Sequence, residues 1–291
     1  MLNHLESLFT ELRKHIWDGA YRKVTIVGAN PKGHDVSAGF DLEAERFVAD
    51  YCRRHEIPVR ILSEESGAIE ISPKPKWLLV IDPVDGSTNM KRGIEGTAFS
   101  AAVLEYRGND SLIPNDVVYA LIGSLTSGAT CYAQKNKGSF YKGPYSGWKK
   151  VRCHSSDKKD LGIAMVEIDL DFGLDESKSV HDIKEGSKIR RILPLLYPVR
   201  NVKHVRRGGA AAQALMNVAT GAVESYIDVR DILTPENWIA AHLLINEAGG
   251  VMTDIFGKPV SAVTLTQPLS IVASGNKTIH KRILQNIDAR V

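Results

Sequence analysis

The residues best suited to chemistry stand in Asp82-Pro83-Val84-Asp85-Gly86-Ser87-Thr88-Asn89. Two carboxylates three positions apart across a turn can bind one or two hard cations together. Gly86 permits a tight turn whose N–H groups suit a phosphate. Asp-Pro and Asp-Gly pairs are also ordinary turn formers, so the octapeptide takes its meaning from its setting. That setting is a strand: Trp77-Leu78-Leu79-Val80-Ile81 is an apolar, partly β-branched run. Open α/β sheets hold their ligands at the C-terminal ends of such strands.

A second strand, Val59-Arg60-Ile61-Leu62, ends in Ser63-Glu64-Glu65-Ser66-Gly67. Adjacent glutamates at a strand end are commonly solvated charge. Two strand ends this close in sequence can also deliver carboxylates to one place, which makes Glu64 a candidate third metal ligand. Mg²⁺ suits such a set, because it takes oxygen ligands, keeps waters and accepts substrate phosphate oxygens. Asp41 falls at or near the N-cap of a helix predicted over 41–55, and the local pattern asks no more of it than capping. Gly208-Gly209 opens another helix. Its backbone donors would serve an anion or a hydroxyl, and close packing of small residues explains the pair equally well. Thr234-Pro235-Glu236-Asn237 starts a helix with Thr234 as N-cap and Pro235 at the first turn, and Gly249-Gly250 ends it.

The elements that must position these groups follow from periodicity. Leu2, Leu5, Leu8, Phe9, Leu12 and Ile16 predict an amphipathic helix over 2–17, followed by a loop over 28–39. Strands are expected at 97–106, 117–122, 129–133 and 138–141, then a connector over 143–150. A boundary near 155 divides the chain into 1–155, which carries the metal-binding motifs, and 156–291, which completes the site. The second half predicts strands at 163–168, 202–205, 222–227, 251–254, around Val260 and at 270–273. An acidic stretch over 169–187 leads into a helix with Ile189, Ile192, Leu193 and Leu196, and a helix over 277–287 closes the chain. The order implies α+β or mixed α/β layers of sheet and helix.

With 43% hydrophobic residues and a net charge of +3 in 291 residues, the composition is that of an ordinary globular protein. No Lys/Arg block interleaved with aromatics marks a nucleic-acid groove. No apolar run reaches the roughly 18 residues of a membrane span, and the first residues lack a signal-peptide pattern. Three scattered cysteines, Cys52, Cys131 and Cys153, give no zinc or disulfide framework, so a cytoplasmic protein is expected. The D-x-x-D spacing differs from the D-x-D of haloacid-dehalogenase phosphatases, and neither a P-loop nor an EF-hand loop is present.

Three stretches then converge. Ser63-Glu64-Glu65-Ser66, the octapeptide from Asp82 to Asn89, and Asn237-Trp238-Ile239-Ala240-Ala241 with Glu247-Ala248-Gly249-Gly250 occur in the order of the inositol monophosphatase superfamily. That superfamily also holds fructose-1,6-bisphosphatases and 3′-phosphoadenosine 5′-phosphate phosphatases. The chain resembles it over nearly its whole length. The resemblance implies an αβαβα sandwich and a Mg²⁺-dependent, Li⁺-sensitive phosphomonoesterase that forms homodimers. It uses two or three ions, with Mn²⁺ as a substitute, on a small phosphorylated polyol or sugar. By the same resemblance, Glu64, Asp82 and the carbonyl of Val84 would hold one metal, and Asp82 and Asp85 a second. Ser87, with Asp41, would activate the attacking water. Gly86, Ser87 and Thr88 would hold the phosphate, and Gly208, Gly209 and Arg230 would line the substrate pocket.

Two departures stand out. The family's third motif has an Asp ahead of its I-A-A or V-A-A segment, where this reading places Asn237, with Glu236 one position off. Asn keeps a neutral carbonyl oxygen for a metal but lacks the charge, which implies a weaker second ion or a non-catalytic homologue. Seven residues earlier, inositol-preferring members carry Glu where this chain has Arg230, and Asp228-Val229-Arg230 looks more like archaeal dual-specificity enzymes. Arg230 would meet a hydroxyl or second phosphate, or simply pair with Asp228 or Asp231.

Overall fold

The computed structural model describes residues 1–18, 26–29, 36–144, 151–152, 157–169, 191–196 and 202–287. Helix α1 (Leu2–Asp18) buries Leu5, Leu8, Phe9, Leu12 and Ile16, the stripe its periodicity predicts. It packs with α2 (Gly39–Arg54) on one face of an eight-stranded sheet. That sheet runs β10 (Val151–Arg152), β9 (Gly138–Lys142), β8 (Thr130–Gln134), β7 (Val117–Ser124), β6 (Ala98–Glu105), β5 (Trp77–Asp85), β3 (Val59–Ser63) and β4 (Gly67–Glu70). Within this sheet, among the described residues, only β3 and β5 pair in parallel, so both strands end on the same side.

The opposite face of this sheet packs against α5 (Ala211–Ala219) and α6 (Pro235–Ala248). These two helices also cover a second sheet of order β12 (His204–Arg206), β11 (Met165–Asp169), β13 (Ser225–Leu233), β15 (Leu269–Ser274) and β14 (Val251–Asp254). A third apolar cluster, with Val166, Ile168, Ile227 and Val272, fills its far face against Ile279 and Ile283 of α7 (Lys277–Gln285) and Leu195 of the short α4 (Leu193–Leu196). Three apolar clusters, the central one on both sides of α5 and α6, fill the four interfaces of five layers, the αβαβα sandwich that the resemblance implies. Hydrophobic residues on both faces of the central strands account for their unbroken apolar runs.

Several local expectations change. The ends of the expected 28–39 loop form a small hairpin, β1 (Ile26–Ala29) against β2 (Val36–Ala38), and α2 begins at Gly39, which places Asp41 inside its first turn rather than at the cap. Val260 lies outside any strand, while β13 runs six residues beyond the predicted end. Thr234 occupies the N-cap of α6 without capping it through its side chain. Its hydroxyl is turned instead toward Glu236 and Asn237. The 153–156 segment around the expected boundary, Cys153 and most of 143–150 and 169–190 fall outside the described residues. Gly249, at φ 91°, ends α6 as its sequence predicts, and Glu247 just before it accepts the N–H groups of Asn136 and Gly138, both at 2.7 Å. That carboxylate pins the β8–β9 turn to the central layer.

One contact gives a test of the outer core. A Cβ on Gly123 of β7 would overlap the ring of Phe9, itself 3% exposed. Gly123→Ala is expected to cost about 1–3 kcal/mol of stability by overpacking. Phe9→Leu in the same chain should recover part of that loss, read as non-additivity in urea denaturation of the two single variants and the double.

Candidate active site

In a regular strand, residues three apart point to opposite faces. Asp82 and Asp85 nevertheless line one cavity, because β5 shifts register against β6 between them. The cavity measures about 610 Å³. Asp41 enters it from the first turn of α2, and Glu64 and Glu65 from the turn after β3. Val84, Gly86, Ser87 and Thr88 complete its floor. Gly86 sits at φ 84°, and a Cβ there would lie 2.9 Å from that of Ala210, so only glycine fits. The chain turns at Gly86 directly into α3 (Ser87–Arg92), whose first amides have no partners within the helix.

Asp82 and Asp85 are 2% and 7% exposed. Burial raises Asp82 well above the ordinary carboxylate range, with Asp85 and Glu236 adding repulsion. Burial likewise raises Asp85 to about 8, opposed by the N–H of Ala212 and reinforced by Glu64 and Asp169. The hydrogen bonds are specific. Asp82 accepts from the Val84 N–H at 2.9 Å and from the Asn237 side-chain amide at 2.7 Å. Asp85 accepts the Ala212 N–H at 2.6 Å. The donors at the start of α5 therefore meet a carboxylate of the protein itself.

The Gly208-Gly209 pair works by close approach. A Cβ on Gly208 would overlap the Glu167 carboxylate, and the Gly209 N–H points at Asp169 Oδ1, 3.3 Å away. Gly209 lines the cavity, and the Gly208 carbonyl accepts from Asn89 Nδ2 at 2.7 Å. Arg230 also lines it, yet its guanidinium is bonded to Asp228 and stands 3.7 Å from Asp169. Burial opposes the Arg230 charge, and Asp228 outweighs it and holds the side chain protonated. Asn237 reaches Asp82 with its amide nitrogen, while its oxygen lies 3.3 Å from the Thr234 hydroxyl. Trp238, the residue immediately before Ile239-Ala240-Ala241, is wholly buried.

Asp169, Arg92, Ile94 and Ile232 join the cavity without having been singled out from the sequence, and Arg207 joins it from the small basic cluster His204, Arg206 and Arg207, which the sequence offers as a local anion contact or a solvated face. Asp169 ends a strand in the second sheet, as Asp85 ends one in the first, and a carboxylate at a strand's C-terminal end was the available signal. Arg92 belongs to a short basic stretch with no motif of its own.

The donor set fits a hard divalent cation. It is all carboxylate and carbonyl oxygen, and two of its members are buried like charges that a cation would neutralise. Among the described residues, no three acidic, His or Cys side chains converge tightly enough to hold an ion unaided.

Layered fold, strand-end carboxylates and helix-opening Gly-Ser together define a phosphatase-type hydrolase. The chain belongs to the inositol monophosphatase family, whose model matches residues 6–291. Among its relatives is a fructose-1,6-bisphosphatase/inositol-1-monophosphatase of Methanothermobacter thermautotrophicus, 27% identical over 90% of each chain. A bifunctional NADP phosphatase/NAD kinase of Methanococcus maripaludis is 29% identical over 77% of this chain and 38% of its own length. The crystal structure of the extragenic suppressor protein suhB from Bartonella henselae superposes with a TM-score of 0.78 at 21% identity, covering 100% of this chain and 99% of that one.

The raised Asp85 predicts a sign for stability against pH. Its folded pKa of about 8 exceeds its unfolded value of 3.8, so its contribution is present below about pH 4 and is lost as pH rises toward 8. In chelator, the melting temperature should fall across that window. Asp85→Asn should flatten the fall and gain on wild type at pH 8 relative to pH 5, as measured by thermal unfolding at both values.

Proposed function

We propose that this protein is a Mg²⁺-dependent phosphomonoesterase that hydrolyses a small phosphorylated polyol or sugar, such as inositol 1-phosphate or fructose 1,6-bisphosphate. The observation that carries the reading is the convergence of Asp41, Glu64, Asp82 and Asp85, from three separate elements, on one cavity beside the Gly86-Ser87 turn. Glu64, Asp82, Asp85 and the Val84 carbonyl would hold two or three divalent ions, with Mn²⁺ as a substitute. When bound, such ions supply an acidified water and neutralise charge on the departing oxygen.

The chain's own groups do the rest. The Ser87 hydroxyl orients the attacking water, and the Asp41 carboxylate takes up its proton. The amides of Gly86, Ser87 and Thr88, at a helix start, receive the phosphate oxygens. Arg92 and Arg207 bring positive charge to the lining beside that acidic floor, which favours an anionic substrate. The names of the relatives support a sugar or polyol phosphate. The same reading takes the protein to be an Li⁺-sensitive, cytoplasmic homodimer, with 1–155 and 156–291 as its two halves.

The Asn237 amide facing Asp82 favours one competing reading, a phosphate-binding homologue without turnover. Phosphate release, measured across Mg²⁺ concentrations with inositol 1-phosphate, fructose 1,6-bisphosphate, 3′-phosphoadenosine 5′-phosphate and NADP, separates them. Asp82→Asn is expected to lower turnover about a hundredfold or more, the scale of several kcal/mol of lost charge stabilisation. Asn237→Asp should lower the Mg²⁺ requirement, and in chelator it should melt below wild type, since a carboxylate would replace the amide donor beside Asp82. Turnover in Asn237→Asp alone would establish the non-catalytic reading, and a preference for either nucleotide would move the substrate class.

A further inference from the structure

Glu45 lies one helical turn after Asp41 on α2, 1% exposed, and lines no part of the cavity. Its Oε1 accepts two hydrogen bonds from the segment that carries Glu64. One comes from the Ser63 hydroxyl and the other from the Glu65 N–H at 2.7 Å, so the bonds flank Glu64 on both sides. Its Oε2 is buried and has no hydrogen-bond partner among the described residues. Leaving a carboxylate oxygen buried and unsatisfied is costly, and Ser63 and Glu65 would be served by a neutral acceptor. Glu64 and Glu65 are half-buried, Ser66 is exposed, and Gly67, at φ 70°, pairs with Ser63 where the β3–β4 ladder closes.

We propose that Glu45 is the positioning residue of the metal site: it fixes the Ser63-Glu64-Glu65 turn against α2 and so sets Glu64 relative to Asp41. The inference rests on the phosphatase reading for the role of Glu64, but its evidence is the clamp. Because Asp41 and Glu45 share one helix face, a single rigid element carries a cavity carboxylate directly and holds a second one through the clamp. Outer-shell partners of this kind commonly govern metal affinity by 10–100-fold.

The test is Mn²⁺ binding to the full chain, measured by calorimetry, with turnover recorded alongside. Glu45→Ala should weaken Mn²⁺ binding by about tenfold or more and raise the ion concentration for half-maximal activity, with the KM for phosphoester changed less. Glu45→Gln keeps an acceptor oxygen for both donors and should bind within about threefold of wild type, a rescue that bulk loss of packing would not give. Should Glu45→Ala fail to fold, Ser63→Ala removes one of the two bonds and should weaken binding about threefold to tenfold. Wild-type affinity in Glu45→Ala, or in Ser63→Ala where that variant carries the test, overturns the inference alone. So does loss in Glu45→Gln equal to that in Glu45→Ala. Absence of Mn²⁺ binding by wild type sinks the phosphatase reading, and the metal role of Glu45 with it.

Discussion

The site depends on holding two carboxylates of like charge at the buried end of one strand. Asp82 and Asp85 reach the same cavity only because β5 slips against β6 between them. Once there, they repel each other in a medium that poorly tolerates either charge. The protein answers with hydrogen bonds. A local amide, that of Val84, serves Asp82, while the amide of Ala212 and the side chain of Asn237 arrive from more than a hundred residues away. The two distant compensations tie the strand end to α5 and α6, so the chemistry and the joining of the two sheets are the same problem.

Other contacts follow from that requirement. Asn89, at the end of the octapeptide, donates to the carbonyls of Gly96 and Gly208 and so bridges α3 to the approach of α5. Gly208 has no side chain because the Glu167 carboxylate occupies the place a Cβ would take. Glu167 is itself pushed up to about 7, chiefly by burial. Arg230 offsets Asp228 and faces Asp169, and the β13 bulge that follows places Asp231 at φ 56°, where Arg191 and Ser270 hold it. Acidic groups behind the cavity are thus paired from behind.

Much of this was legible in the chain. The apolar run before Asp82 gave β5, the spacing of Leu5, Leu8, Phe9, Leu12 and Ile16 gave α1, and Pro235 with Gly249 bracketed α6, because each of these signals is local. The cavity membership of Asp41, Glu64, Asp82 and Asp85 was read from motif order. What escaped reading depends on long-range geometry. The slip that brings Asp82 and Asp85 to one face has no sequence marker, since neither residue changes type to produce it. Asp169 looks like any carboxylate at a strand end until the second sheet sets it against the first. Thr234 has the composition of a cap, yet a buried Glu236 two residues later competes for its hydroxyl and wins. Glu45 reads as one more polar position on an amphipathic helix, and its burial becomes visible only when β3 is laid against α2.

The amide of Asn237 has a consequence for the order in which the molecule is assembled. A carboxylate at that point would face Asp82 across 2.7 Å and would need a cation or a proton to offset the repulsion between the strand end and α6. An amide closes the same gap with a hydrogen bond. The layers can therefore close with no ion in place, and a divalent ion bound there would be a reversible ligand. In this the chain differs from small metal domains, where the ion is the scaffold and its removal is unfolding.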